Sequence, residues 1–472
     1  MFFVNLCGVK KKDLTTELHV YVTEIPPRGI AGAEPAVESS VVETTFSESH
    51  PRVHYVTTET FQWVPSGFLC LLADFADAIG LFKIIENVIH LPMKEVHYTH
   101  LDKIKTLIAM IALGCKHIHD INHRLRPYAF LAQRLRMEKF PDQSQVSRFL
   151  HSCEGQLFQL DYLFETLLRV YGLWQQQEKV NLDFDCTGLV VYGDTFEFCR
   201  KGYFARHPGS KGYQLSLTST FGYETSEIFS LHLDPGNSHP NARFWDGIYQ
   251  AAEVCGLERI GVVRADAAQG SGPNIQELIE LGLGFAIKGY SVLTARNFAR
   301  QAVHEQWDAI DLFTRVADLG VQKIHKCRYP VRTILVETLN ARSRIDYFNV
   351  FTHFQPDLMS GPEVFHYYNG RQTIEALIKG EKNSLHITPM KTRSFAGNYA
   401  FLYFAAIVFN LLARFRHHVL KGTELEHMGL NDLTSKLMQI PAQFQYKNNQ
   451  LELAFPSQHP LIKQLARSPA PG

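Results

Sequence analysis

The sequence predicts a mixed α/β protein, on three observations. Helical patterns run through residues 66–175, strand patterns take over from residue 179, and the later strands alternate with helices and end in acids. With 472 residues the chain is long enough for about two or three domains around a large core.

Residues 1–60 open on a strand pattern, ELHVYVTEI, and run into a stretch rich in Pro, Gly, Ser and Glu that reads as an irregular arm. Helices follow in GFLCLLADFADAIGLFKIIENVI, LDKIKTLIAMIALGCKHI and DYLFETLLRVYGLWQQ, so 61–176 is a helical region. Between the last two lies FPDQSQVSRFL, where Asp142 or Ser144 is placed to cap a short helix carrying Gln145 and Arg148. A helix-turn-helix would present such a helix to DNA; an ordinary capped helix of a bundle has the same pattern.

In KVNLDFDCTG, Val180, Leu182 and Phe184 face one way and Asn181, Asp183 and Asp185 the other. YQLSLTSTFG and IFSLHLDPGN continue as strands, FWDGIYQAAEVCG as a helix, and ERIGVVRADAA as a buried-type strand ending in Asp266. NIQELIELG is helical and GFAIKGY a strand. Residues 312–352 are strand-rich: FTRVADL, KIHKCRYP, RTILVETL and DYFNVFTHF. A helix begins near Glu363. Residues 395–415, FAGNYAFLYFAAIVFNLLARF, are long and apolar enough for a membrane span, but Asn398, Asn410 and Arg414 interrupt them, and a central core helix is the reading. No internal repeat is visible.

Apolar content of 45% and charged content of 20% are those of a soluble globular protein. Zero net charge excludes a uniformly basic coat but leaves local basic stretches at 116–139, 323–344 and 391–421. The eight cysteines (7, 70, 115, 153, 186, 199, 255 and 327) are scattered with no C-x-x-C, which excludes a zinc ribbon or a secreted disulfide framework and implies reduced thiols in a cytosol. At the N-terminus the basic residues follow the short apolar run, the wrong order for a signal peptide.

The most informative stretch is Tyr368-Asn-Gly-Arg371 continuing to Glu375, Lys379 and Lys382, with the spacing Y-x2-R-x3-E-x6-K. On one helix these five residues share an arc of roughly 80°, beside a buried arc of Ile374, Leu377, Ile378 and Leu385. A carboxylate holds metal and cations hold phosphates, so the row points to metal-dependent phosphoryl transfer on a nucleic-acid backbone. Asp185, Asp266 and Glu375 are three acids that can converge, and three carboxylates suit one or two Mg²⁺ ions. Singly each has a plainer reading. Asp185 is a strand-end turn former and Asp183 faces the same way as an alternative ligand; Asp266 is a turn cap; Glu375 is a surface partner of Arg371 or Lys379. Neither a nucleophilic Cys/His arrangement nor a phosphate loop competes: Gly270 and Gly272 miss the dinucleotide fingerprint.

These motifs resemble the DDE transposases of bacterial insertion sequences, specifically the cut-and-paste group with a YREK signature. FPDQSQVSRFL, LDFDCTGLVVYG, KGYFARHPGSKGYQLSL, LDPGNSH, VVRADAAQGS, YYNGRQTIEALIKGEKN and NYAFLYFAAIVFNLLARF follow the family's order over residues 100–418. The resemblance implies a ribonuclease-H-like catalytic core in 177–289 and 353–420, a β-rich insertion at 290–352 between the second Asp and the Glu, and a helical DNA-binding region at 61–176. The arm 1–60 and the C-terminal tail region 421–472 match no named segment. It further implies Asp185, Asp266 and Glu375 as catalytic metal ligands for two Mg²⁺ ions, with Mn²⁺ able to substitute. Tyr368, Arg371 and Lys382 would hold phosphates, with Lys379, Gln145 and Arg148 as further DNA contacts. An aromatic of the insertion holds a flipped base in relatives. Trp307 is the only tryptophan there, and a core position is its plainer reading. Relatives carry Ser or Gly after the second acid, where this chain has Ala267-Ala268.

The implied activity is Mg²⁺-dependent cleavage at transposon ends, a hairpin intermediate and strand transfer into target DNA. The implied partners are inverted-repeat and target DNA and a second copy of the chain; the implied place is the bacterial cytoplasm, at the nucleoid. A domesticated end-binding protein, or a nuclease without strand transfer, would keep the same fold.

Overall fold

The computed structural model describes residues 63–92, 97–193, 195–202, 204, 207–222, 226–302, 306–340, 343–371, 385–388, 390–447 and 450–467. The N-terminal arm with its ELHVYVTEI strand pattern, and Ile374, Glu375, Leu377, Ile378, Lys379 and Lys382, lie outside these residues.

A short strand β1 (Trp63–Val64) leads into the helices α1 (Gly67–Ala78), α2 (Leu81–Val88), α3 (His100–Ala112), α4 (Asp120–Arg124), α5 (Ala129–Arg134), α6 (Gln143–Ser152) and α7 (Leu157–Tyr171). The single helix expected over 67–89 is two, because Gly80 adopts a left-handed φ of 72° that a helix interior does not allow. Local chemistry sets the starts: Thr99 and Asp102 form a capping box on α3, and the Asp142 carboxylate accepts the Ser144 and Gln145 amides at the start of α6.

The strands and helices that follow are β2 (Val180–Val191), β3 (Arg200–Lys201), β4 (Lys211–Phe221), β5 (Ile228–Pro235), α8 (Phe244–Cys255), β6 (Ile260–Ala265), α9 (Gly272–Glu280), β7 (Gly284–Lys288), α10 (Val292–Gln301), β8 (Asp308–Ala309), β9 (Thr314–Gln322), β10 (Val331–Leu339) and β11 (Ile345–Thr352). They form one ten-stranded sheet in the order β3-β4-β2-β6-β7-β11-β10-β9-β8, with β5 also on β4. Strands β2, β4 and β5 are antiparallel neighbours, whereas β6 and β7 run parallel to β2 and are reached through α8 and α9. The strands after residue 308 continue this sheet through β11, which pairs antiparallel with β7 at Val350–Thr352. KIHKCRYP, expected as a strand, is the turn between β9 and β10, with Lys326 at φ 58°. The helix α10 was not expected; Ser291 caps it on the Thr294 amide.

Next come α11 (Gly361–Asn369) and the long α12 (Phe395–Val419). Helix α12 packs against α3, α6, α7 and β5, and so joins the helical region to the sheet. It is the one helix among the described residues long and apolar enough to cross a membrane, and 83% of its most apolar stretch is buried within the protein. Its three polar interruptions each have a partner inside the protein. Asn410 exchanges two hydrogen bonds with the Ile228 backbone (2.8 and 2.9 Å), Arg414 pairs with buried Glu227 at 3.0 Å, and Asn398 accepts the Lys391 amide. Such partners are what a core helix has and a lipid-facing one lacks.

The chain ends with α13 (Leu430–Ser435), β12 (Ala442–Lys447), β13 (Gln450–Ala454) and α14 (Pro460–Arg467). Strand β12 pairs with β1, Trp63 against Gln443, so the C-terminal segment closes back on the start of the helical region. The main hydrophobic cluster runs from Val64 to Ile462; a second lies between α11 and the sheet strands β7 and β9–β11.

Candidate active site

Parallel pairing aligns Asp183 of β2 with Arg264 of β6, and Phe184 with Ala265. One step further along both strands stand Asp185 and Asp266, neighbours across a spacing of about 4.8 Å between strands. The sheet register thus brings together two acids that lie far apart in the chain. Asp266 follows the last residue of β6, and its side chain is 46% exposed; that of Asp185 is 16% exposed, beside β4.

Arg371 spans the pair. Its Nη1 lies 3.7 Å from Asp185 Oδ2 and its Nη2 3.9 Å from Asp266 Oδ1. The Tyr368 hydroxyl donates to Asp266 Oδ1 at 3.4 Å while its ring sits in the second hydrophobic cluster. Burial pushes the Tyr368 phenol well above its ordinary pKa, so it stays a proton donor at neutral pH.

The expectation of one helix carrying Tyr368 and Arg371 is corrected. Helix α11 starts at the Ser360–Glu363 capping box and ends at Asn369; Arg371 stands in the turn after it, its amide bonded to the Tyr368 carbonyl at 3.0 Å. The turn keeps both side chains on the acid pair even though the helix has stopped.

Asp183 faces the same way as Asp185 but is engaged elsewhere. It is 1% exposed and takes two hydrogen bonds from Arg264, both 2.7 Å. Lys288 is a residue that sequence reasoning passed over. Ala265 pairs with Ile287 of β7, so the position next to Asp266 is Lys288, whose Nζ lies 4.6 Å from the Phe348 ring centroid. The sequence signal was the cation in GFAIKGY, at the end of the strand beside the second acid.

Other candidates stand apart. Gln145 is half-buried and Arg148 exposed on α6, in the helical region. Trp307 is partly buried rather than in the core, just before the edge strand β8, with the Arg315 guanidinium 4.7 Å from its ring centroid. Several cations of the basic stretches pair with acids of the chain itself: Arg134 with Asp74, Arg136 with Asp77 at the surface, and buried Arg332 with Asp318. The seven cysteines among the described residues are free thiols; burial pushes those of Cys70 and Cys153 up to about 12, which makes them inert.

Adjacent carboxylates offer hard oxygen donors of the kind Mg²⁺ prefers, so Asp185 and Asp266 fit part of a metal site. Among the described residues no group of three His, Cys, Asp or Glu stands together, and Glu375 lies outside them.

The fold and the acid pair put this chain among mixed α/β proteins that gather carboxylates from adjacent strands. It belongs to the family described as transposase DDE domain group 1, whose model matches residues 64–470. That match takes in α1, α2 and the C-terminal segment after 420, which carried no named motif. No curated protein matches. Among solved structures, the cryo-EM structure of piggyBac transposase in a synaptic complex with hairpin DNA is 13% identical, with a TM-score of 0.41 over 80% of this chain and 81% of that one. The NurA nuclease from Sulfolobus solfataricus is 9% identical, with a TM-score of 0.18 over 50% of this chain and 97% of that one.

Proposed function

We propose that this DDE-domain transposase cleaves DNA at the ends of a bacterial insertion sequence and joins them to target DNA by cut-and-paste, as a member of the YREK group. The observation that carries the reading is the juxtaposition of Asp185 and Asp266 in adjacent register, with one guanidinium within 4 Å of both. Asp185, Asp266 and Glu375 would hold the divalent ions. Bound there, Mg²⁺ would supply an activated water or 3′-hydroxyl and stabilise the leaving oxygen of an in-line displacement.

The chain's own groups would position the phosphate. Arg371 offers a planar fork that matches two phosphate oxygens, and Tyr368 adds a neutral donor beside Asp266. Lys288, at the next register position, would contact a neighbouring phosphate. In the first step the water oxygen bonds to phosphorus and the bond to the 3′ oxygen breaks, which leaves a 3′-hydroxyl and a 5′-phosphate. The 3′-hydroxyl oxygen then bonds to a phosphorus of the opposite strand as the bond from that phosphorus to its own 3′ oxygen breaks, which closes the hairpin on the element end and leaves the flanking DNA with a 3′-hydroxyl.

A ribonuclease-H-like core is supported by the order β5-β4-β2-β6-β7, three antiparallel strands followed by two parallel ones with helices between. The strands β8–β11 would be the insertion, and two copies would bring two DNA ends together in the bacterial cytoplasm, at the nucleoid. The test is cleavage of a plasmid carrying the DNA that flanks the gene, in Mg²⁺. Asp266→Asn and Glu375→Gln should bind that DNA and leave it uncut; cutting at the wild-type rate would remove the assignment.

A further inference from the structure

We infer that Asp183 and Arg264 are a positioning pair, which fixes Arg371 and Tyr368 over the two acids. The inference rests on the reading of Asp185 and Asp266 as metal ligands. Asp183 lies two residues before Asp185, and Arg264 two before Asp266. Side chains two apart on a strand share a face. The ion pair is therefore the layer directly beneath the acid pair, on the same face of the same two strands.

All three nitrogens of the Arg264 guanidinium donate hydrogen bonds. Nε and Nη2 donate to the two oxygens of Asp183, each at 2.7 Å, and Nη1 donates to the Tyr367 carbonyl at 2.6 Å. Its flat face lies 3.4 Å from the Phe221 ring centroid and 5.4 Å from that of Tyr367. Tyr367 is in the last turn of α11, next to Tyr368 and four residues before Arg371. One buried cation thus ties the first acid strand, the second acid strand and the end of the signature helix to a single point.

Gly370 bears on the same joint. A Cβ at this position would come 2.8 Å from Arg264 Nη1, so the turn that delivers Arg371 closes against the guanidinium itself. Stability alone does not call for this arrangement. A buried ion pair replaced by apolar residues of similar size is often neutral or stabilising, but an apolar pair cannot grip a carbonyl at a helix end. The grip matters because a catalytic group displaced by about 1 Å can cost on the order of 100-fold in rate.

The experiment uses the full chain and a plasmid bearing the gene's flanking DNA. The Asp183→Leu/Arg264→Met double variant should unfold within about 4 °C of wild type. Its nicking kcat should fall about 100-fold while KM for DNA stays within about threefold. Gly370→Ala, which leaves both charges in place, should show the same split in milder form. A folded double variant that nicks within about threefold of the wild-type rate would overturn the inference. If the double variant does not fold, a Gly370→Ala protein with unchanged kcat overturns it instead. Asp185→Asn runs alongside. An inactive Asp185→Asn beside a fully active double variant removes the positioning pair alone, whereas an active Asp185→Asn removes the site reading and the pair with it.

Discussion

The Arg371 guanidinium lies 3.7 Å from Asp185 and reaches Asp266 at 3.9 Å, so a single cation stands across the space between the two acids. Its charge balances the carboxylates and opposes a divalent ion at the same oxygens. Arg371→Ala should therefore lower the Mg²⁺ concentration for half-maximal nicking, by on the order of 30-fold if the opposition of one cation and a divalent ion is about 2 kcal/mol at 4 Å in a solvated site. The same change should cut kcat on the order of 100-fold through loss of the bidentate phosphate grip. Nicking rates titrated with Mg²⁺ check both, and gel-shift affinity for uncut duplex should change little.

Asp183 and Asp185 are separated by what they touch. Asp185→Asn should leave the unfolding midpoint near wild type and abolish nicking, because its carboxylate belongs to the acid pair and meets the Arg371 guanidinium at 3.7 Å. Asp183→Asn leaves Arg264 as an uncompensated buried cation and should cost about 3–5 kcal/mol of stability. Urea unfolding of the two single variants gives the contrast; equal stabilities would contradict the burial of Asp183.

Much of this site was legible because its parts are local signals. Alternation in KVNLDFDCTG put Asp185 on a strand face, and an acid closing a short apolar strand marked Asp266; both positions follow from period-two geometry. What was illegible depends on contacts across the chain. The partner that occupies Asp183 lies 81 residues away, and only the parallel register reveals it. The stop of α11 at Asn369 was hidden because a turn keeps Tyr368 and Arg371 at nearly helical spacing. Gly80 divided one apolar run into two helices, since a glycine in mid-pattern signals a break only once its φ is known. Lys288 carries no motif and acquires a role only when β7 falls beside β6.

The polar residues of α12 give a stability prediction. Glu227 is 1% exposed, pairs with Arg414 and also accepts the Trp174 amide at 3.2 Å. Glu227→Ala strands the buried guanidinium, and should cost about 3–5 kcal/mol in urea unfolding. Glu227→Leu/Arg414→Met should recover most of that loss, because the helix then packs against β5 without buried charge.

Lys391 gives a pH dependence. Burial pulls its ammonium down to about 7, and its Nζ donates to the carbonyls of Lys116 (2.5 Å) and His386 (2.6 Å). The unfolded chain holds this proton up to the ordinary lysine range near 10.4. Between these values the unfolded state binds more protons, so stability rises with pH above about 7. Wild type should gain stability from pH 7 to 8.5 relative to Lys391→Met, which has no such proton. Unfolding midpoints of both proteins across that range provide the check; parallel curves would contradict the shift.

Lys288 tests how far the site extends along the sheet. It follows Ile287, the register partner of Ala265, and so stands beside Asp266 on the side away from Asp185. A DNA strand with its scissile phosphate at the acids would bring a neighbouring phosphate to this cation. The Phe348 ring near Nζ holds the ammonium by a cation–π contact without neutralising it. Lys288→Ala should weaken binding to any duplex by a similar factor, because a phosphate contact reads no sequence. The slope of log affinity against log salt should become shallower by about 1. Affinities measured at several salt concentrations with flanking and unrelated DNA decide it. An unchanged slope would place Lys288 outside the DNA path, and a loss confined to flanking DNA would make it a sequence reader.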